Sequence, residues 1–226
     1  MRKFFILLMV VFCLTTTFAQ ETINKPFKVS IGGGGFVTGN FSSWFVDKDL
    51  PGSLDRYDVS HFGIGPFLFA DLKYLEINLA FPLGFLNADD TMSANPNFPA
   101  RTYALRGGLY LKYPFTISSM FTLFPMLGAD YDFYLLAKRD DDRDAKFPIS
   151  AGNQNADPMD ALNTLWFKAG IGLDTFFTDH LFLRTELLYG LRFPNKMEQY
   201  LKDTRSDVNF MLGHGGDFKI AIGYRF

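Results

Sequence analysis

Apolar side chains alternate with small or polar ones at a period of two in eight segments of this 226-residue chain. Successive side chains of a β-strand point to opposite faces, so the alternation predicts eight strands, each with one apolar and one polar face. The segments are residues 27–37, 62–70, 75–85, 103–115, 121–135, 165–177, 181–193 and 218–226. Beyond the N-terminal segment no apolar run approaches the roughly 18 residues of a membrane-spanning helix, so the chain could enter a membrane only through its strands.

The N-terminal residues MRKFFILLMVVFCLTTTFA have the three parts of a secretory signal peptide. A basic start precedes an apolar run over residues 4–14, and small residues follow, which predicts cleavage after Ala19. We therefore expect residues 1–19 to be the signal peptide and residues 20–226 to form one barrel domain. The only cysteine, Cys13, belongs to the signal, so the exported chain would depend on burial and hydrogen bonding rather than on disulfides.

Acidic residues slightly outnumber basic ones, 24 to 22, which gives the chain a formal net charge of −2. Removal of a signal peptide with two basic residues would leave about −4, so we expect no nucleic-acid partner. Aromatic residues make up 17% of the chain, and 27 residues are phenylalanine. This is a heavy aromatic content for a soluble domain of this size and favours a membrane environment.

Short and long connections alternate between the predicted strands. The short ones are residues 70–74, 113–119 and 177–180, and the long ones are about 38–61, 86–102, 136–164 and 194–217. In an up-and-down antiparallel barrel, alternate connections lie at the same end, so all four long loops would lie on one side. Short periplasmic turns and long external loops are typical of outer-membrane barrels, and an even strand number places both termini at the periplasmic end.

The two faces of the predicted strands differ in a way that favours lipid outside the barrel. One face has no charged residue and carries aromatic residues at both ends, as in the girdles of a membrane barrel. The other face mixes charges with glycines beside Phe67 and Phe182, as the filling of a narrow lumen requires. On a solvent-facing surface such glycines would only weaken the strands. The charged residues predicted to face the lumen are Lys28, Glu76, Arg106, Lys112, Asp130, Asp132, Lys168, Asp174, Arg184, Glu186, Arg192, Lys219 and Arg225.

The last strand, FKIAIGYRF, ends on a bare aromatic residue. In this ending and in its strand pattern, the chain resembles small bacterial outer-membrane β-barrel proteins of the OmpA, OmpX and OmpW kind. The resemblance implies an all-β fold, an eight-stranded antiparallel up-and-down transmembrane barrel in the outer membrane. It also implies a monomer that contacts membrane lipid and lipopolysaccharide, and a terminal signal for the barrel-assembly machinery. That signal would consist of Phe218, Ile220, Ile222, Tyr224 and Phe226.

An eight-stranded barrel encloses a space that side chains nearly fill, and buried charges need partners. Asp174 lies opposite Arg184 across one turn, and Arg106 lies diagonal to Asp130 across another. We therefore expect a largely plugged polar lumen, without cofactor, metal or catalysis. The expected role is structural and surface-presenting, through four long external loops that could bind an unidentified extracellular ligand.

Two other functions remain open at this point. The first is an OmpW-like narrow channel for small hydrophobic solutes, with Phe67, Met126 and Trp166 as candidate lining. The second is a barrel enzyme that modifies lipopolysaccharide, for which His61, beside Ser60 and Asp58, is the only candidate. Adjacent residues of one strand point to opposite faces, which weighs against that pair. Of the other histidines, His180 is expected in a periplasmic turn and His214 in a loop. The acidic run RDDDRDAK, residues 139–146, is interpreted as a solvated loop tip.

Overall fold

The computed structural model describes residues 29–46, 56–88, 100–144, 162–194 and 208–226. The predicted signal peptide, the predicted lumen residue Lys28, the end of the acidic run and the segment 195–207 lie outside these residues. The division of the chain after residue 19 therefore stays a prediction.

Ten stretches of strand lie within the described residues. They are β1 Ser30–Val46, β2 Arg56–Asp71, β3 Leu75–Ala80, β4 Leu83–Ala88, β5 Arg101–Lys112, β6 Phe115–Thr116, β7 Phe121–Lys138, β8 Thr164–Phe176, β9 Leu181–Arg192 and β10 Val208–Arg225. β3 and β4 pair with β2 and β5 in one register on either side of Pro82, which has no N–H to donate. β5 and β6 pair with β7 in the same way on either side of Pro114. These pairs form one strand each, so the barrel has eight strands.

Hydrogen-bonded pairing closes these strands into an antiparallel barrel. β1 pairs with β2 and with β10, and the other neighbours follow chain order, which confirms the predicted all-β up-and-down fold. The strands are staggered around the barrel. A path that follows paired residues from strand to strand leaves β1 at Asn40 and returns to β1 at Ser30, ten residues earlier in the chain. The path runs through Gly215, Gly190, Lys168, Gly128, Tyr110, Glu76 and Asp71 to Ser30. With eight strands this stagger corresponds to a strand tilt of about 40° and a backbone radius of about 8 Å.

Several strands extend further toward the long loops than their alternation predicts. β1 continues to Val46 rather than residue 37, β2 begins at Arg56 rather than residue 62, and β10 begins at Val208 rather than residue 218. Beyond the apolar band both faces of a strand can meet water, so the hydrogen-bonded ladder continues where the apolar alternation has ended. The assignment of His214 to a loop is wrong, because His214 lies within β10.

Side chains alternate between a buried interior and an exposed exterior along each strand. In β5, for example, every second residue from Thr102 to Lys112 is buried, and the residues between them face outward. The exterior carries large apolar residues such as Leu111, Ile171 and Leu187. Outward-facing aromatic residues form one band near the short turns, with Tyr224 and Phe226, and another near the long loops. In the described part of the chain, no helix is long and apolar enough to cross a bilayer.

Candidate functional site

The interior of the barrel is the candidate site, and glycines give its large side chains their space. An inward-facing Cβ at Gly172 would overlap the Phe124 ring, and one at Gly223 would overlap the Phe182 ring. Each glycine therefore leaves room for an aromatic ring on a neighbouring strand. This pairing of small with large residues is how a narrow barrel fills its core.

The part of the lumen near the short turns is organised around Arg184 of β9. Its Nε donates to Asp174 Oδ1 at 2.7 Å and its Nη2 donates to Asp174 Oδ2 at 2.8 Å, which makes a bidentate pair. Nη1 reaches Glu76 Oε2 at 2.7 Å, and Nη2 also reaches Asp71 Oδ2 at 2.8 Å. Lys112 Nζ donates to Asp71 at 2.5 Å and to Glu76 at 3.1 Å. Strands from opposite walls are thus joined through the lumen.

Aromatic rings surround the Arg184 guanidinium as well. Its Cζ lies 4.3 Å from the centre of the Phe69 ring, 4.9 Å from that of Phe124 and 5.3 Å from that of Phe182. Cations are attracted to the faces of such rings, most strongly where water is excluded. The charge of Arg184 is therefore compensated on all sides by carboxylates and rings.

A second charge cluster lies nearer the long loops, around Arg106 of β5. Arg106 Nε donates to Asp132 Oδ1 at 2.5 Å and Nη2 donates to Oδ2 at 3.0 Å, while Nη1 reaches Asp217 Oδ2 at 3.2 Å. Lys168 Nζ contacts Asp130 Oδ2 at 2.8 Å and also donates to Asp217. This cluster likewise crosses the lumen, from β5 and β7 to β8 and β10.

Lys219 of β10 lies between the two clusters. Its Nζ is 3.4 Å from Glu186 Oε2, and it lies 5.0 Å from the centre of the Tyr110 ring and 5.4 Å from that of Phe67. Glu186 also faces Arg184, with its Oε1 4.0 Å from Nε. Glu186 and Lys219 therefore extend the Arg184 cluster toward the long loops.

The structure places every described member of the predicted charged set on the inner wall. Arg192 and Arg225 are partly exposed, and the others are buried. Asp174 and Arg184 are paired neighbours, as the sequence indicates. Arg106 is diagonal to Asp130, but its hydrogen-bonded partners are Asp132 and Asp217.

Two buried acids of the network were missed by the sequence prediction, Asp71 and Asp217. Each lies one residue beyond a predicted strand, at the end of 62–70 and before 218–226. Continuing the alternation by one residue places Asp71 on the inner face with Phe69 and Asp217 on the inner face with Lys219, but the predicted segments ended where their apolar face ended.

The three candidate channel-lining residues do not form one surface. All are buried, but Phe67 packs with Phe36 and Phe69 in one cluster, and Met126 packs in another. Trp166 belongs to the charge cluster around Arg106, where its Nε1 donates to Asp132 Oδ2 at 3.2 Å.

His61 faces the lumen near the long loops. Its Nδ1 lies 3.4 Å from Asn40 Nδ2, and its Nε2 lies 3.1 Å from Thr102 Oγ1. The Ser60 hydroxyl instead donates to the backbone carbonyl of Asn87 at 3.4 Å. The structure thus does not bring Ser60 and His61 together as nucleophile and base.

The five residues of the predicted assembly signal, Phe218 to Phe226 in alternate positions, are all exposed on the outer surface. The last residue is held by a backbone hydrogen bond from Phe226 N to Val29 O at 2.9 Å. The Tyr224 ring stacks on His180, with ring centres 5.4 Å apart. His180 lies in a short turn, as predicted.

An apolar exterior with two aromatic bands surrounds a charged interior. The fold is that of a small outer-membrane β-barrel. No family model matches the chain, and no curated protein sequence matches it.

Solved structures of outer-membrane barrels are similar to it at low sequence identity. OprG from Pseudomonas aeruginosa is 16% identical, with a TM-score of 0.45, over 89% of this chain and 97% of OprG. Ail, the attachment invasion locus protein of Yersinia pestis, is 12% identical, with a TM-score of 0.32, over 89% of this chain and 100% of Ail. The outer membrane protease OmpT from Escherichia coli is 12% identical, with a TM-score of 0.40, over 91% of this chain and 100% of OmpT. Similarity at this level assigns no function.

Proposed function

We propose that this protein is a monomeric, non-catalytic outer-membrane barrel that is closed by its own lumen charges and presents four long external loops. The cross-lumen hydrogen bonds of Arg184 and Arg106 carry the proposal. Each guanidinium binds carboxylates on other strands, including one across the lumen. A solute passing through the barrel would have to break these charge-assisted bonds inside a space that side chains nearly fill.

The proposed topology has residues 1–19 removed on export, both termini in the periplasm and the long loops outside the cell. The outward-facing residues of β10 would be read by the barrel-assembly machinery, and the exterior would contact membrane lipid and lipopolysaccharide. A rigid barrel with long loops at one end is a scaffold on which binding to an extracellular ligand could reside.

Single-channel recording on purified protein in planar bilayers tests the closed lumen. We expect no stable openings at moderate voltage, whereas the channel function predicts discrete and repeated openings. Uptake of a small hydrophobic dye into protein-containing liposomes addresses the apolar conduit separately. Uptake faster than in protein-free liposomes would contradict the proposal even without ionic current.

The non-catalytic role has its own test. Incubation of the folded barrel with lipopolysaccharide, followed by mass spectrometry of the lipid, should leave acyl chains and phosphates unchanged. A mass change that disappears in a His61→Ala variant would overturn this part of the proposal. The positions of Ser60 and His61 on opposite faces are the observation that favours the unchanged result.

A further inference from the structure

His214 is a polar side chain on the lipid-facing surface, where such groups are costly and call for a partner. On β10 it is paired with Phe41 of β1 and Leu191 of β9, and both of these are exposed on the outer surface. Ten residues separate it from Tyr224, which faces outward in the band at the short-turn end. At about 3.3 Å per residue and a tilt of about 40°, ten residues span about 25 Å, which is the height of the apolar band. His214 therefore lies in the band near the long loops.

Tyr189 of β9 forms a polar pair with His214. The Tyr189 hydroxyl lies 3.0 Å from His214 Nδ1, and the His214 ring is also flanked by Phe41, with ring centres 5.8 Å apart. When the Tyr189 hydroxyl donates to Nδ1, the single ring proton of the neutral imidazole is on Nε2. A doubly protonated ring also carries a proton on Nε2. Nε2 forms no hydrogen bond with the described residues, so it is a donor available to a group outside the barrel.

A shallow notch lies directly below this pair on the outer surface. Gly39 and Gly216 are paired across β1 and β10, and both face outward. A Cβ at Gly39 would have no neighbour within 4 Å, and one at Gly216 would have only Tyr189 Cδ2, at 3.9 Å, as a side-chain neighbour. The exposed rings of Tyr189 and Phe62 flank the two glycines on the neighbouring strands. The notch is thus two strands wide and has aromatic walls.

We propose that His214, oriented by Tyr189, binds a phosphate group of lipopolysaccharide through Nε2 while one of the acyl chains lies in the notch over Gly39 and Gly216. The height of the pair places it at the interface, where the phosphates of the outer leaflet lie. The Nε2–H of His214, whose orientation the Tyr189 hydroxyl fixes, matches an acceptor oxygen of a phosphate, and the apolar notch below matches a hydrocarbon chain. This inference rests on the proposed topology, in which the long loops are outside the cell.

Native mass spectrometry of the folded barrel, incubated with lipopolysaccharide in the presence of EDTA, tests this site. The variant His214→Phe/Tyr189→Phe keeps both rings but removes the donors, and its outer surface remains suited to lipid. The matched control is Tyr131→Phe, an exposed tyrosine on β7, two strands away from Tyr189. We expect at least tenfold less bound lipopolysaccharide for the double variant, and no change for the control. Lipopolysaccharide without its lipid A phosphates should bind the wild type as weakly as the double variant.

Equal binding by wild type and double variant, or equal binding of the dephosphorylated lipid, would overturn the proposal. A lipid-independent dimer that Gly216→Leu abolishes would overturn it too, because the notch would then hold a second copy of the chain. Conductance of the same preparations is a separate readout. Channel openings with phosphate-selective binding would refute the closed lumen alone, and a closed barrel without selective binding would refute this site alone.

Discussion

Replacing Arg184 with leucine tests whether the lumen network stabilises the barrel. Arg184 is buried, with 1% of its side chain exposed, and makes four hydrogen bonds to three carboxylates. Lys112 would still pair with Asp71 and Glu76, so Asp174 would be left with the largest uncompensated charge. Removing one partner of a buried pair typically costs about 3 to 5 kcal/mol, so we expect a loss of about 4 kcal/mol in the free energy of unfolding.

Urea unfolding of the barrel in liposomes, followed by tryptophan fluorescence, would measure this loss. The double variant Arg184→Leu/Asp174→Leu should be more stable than the single variant, because it leaves no isolated carboxylate at that position. The control is Arg101→Leu, whose ion pair with Asp142 has side chains 32% and 78% exposed. An exposed pair contributes at most about 1 kcal/mol. If Arg184→Leu costs no more than this control, the buried network is not a source of stability.

Three further predictions concern the exterior, the packing and the terminus. Ile171→Arg, on a side chain 53% exposed at mid-height of the apolar face, should cost about 2 to 4 kcal/mol in liposomes, and a near-zero cost would contradict lipid contact. Gly172→Ala should lower stability because its Cβ would overlap an aromatic ring, whereas Gly107→Ala, with no neighbour within 4 Å, should change it by less than about 0.5 kcal/mol. Deletion of Phe226 should reduce the yield in the outer-membrane fraction far more than deletion of Asp141, and equal yields would remove the terminal residue from the assembly signal.

The architecture could be predicted from the sequence because each strand crosses the membrane with its two faces in different surroundings. Leu109 and Ile171 face outward and Glu76 and Lys168 face inward. Each assignment follows from whether the residue has an odd or an even position along its strand. The strand ends near the long loops could not be predicted in the same way. Above the apolar band, odd and even positions along a strand no longer differ in polarity. The continuation of β1 and β10 beyond the predicted ends therefore leaves no alternation in the sequence.

The partners within the lumen could not be predicted, because parity gives the face of a residue but not its height. Arg184 binds Asp71, 113 positions away in the chain, through a stagger of ten residues around the barrel. Only neighbours across a short turn, such as Asp174 and Arg184, have a height that the turn itself fixes. The same limit applies to His214, whose place in the outer band depends on the register of β10 against β9 and β1.

In the proposed closed lumen, the bonds that stabilise the barrel are also the bonds that close it. Arg106 joins Asp132 on the neighbouring strand to Asp217 on β10, so removing it would take the ion pair from Asp132, leave Asp217 with Lys168 and open space near the long loops. Arg184 has the corresponding position near the short turns. A path through the barrel needs both layers to open, so single variants at either position should be less stable yet still closed. Only their combination should conduct, and conductance from one single variant would mean that a single layer closes the barrel.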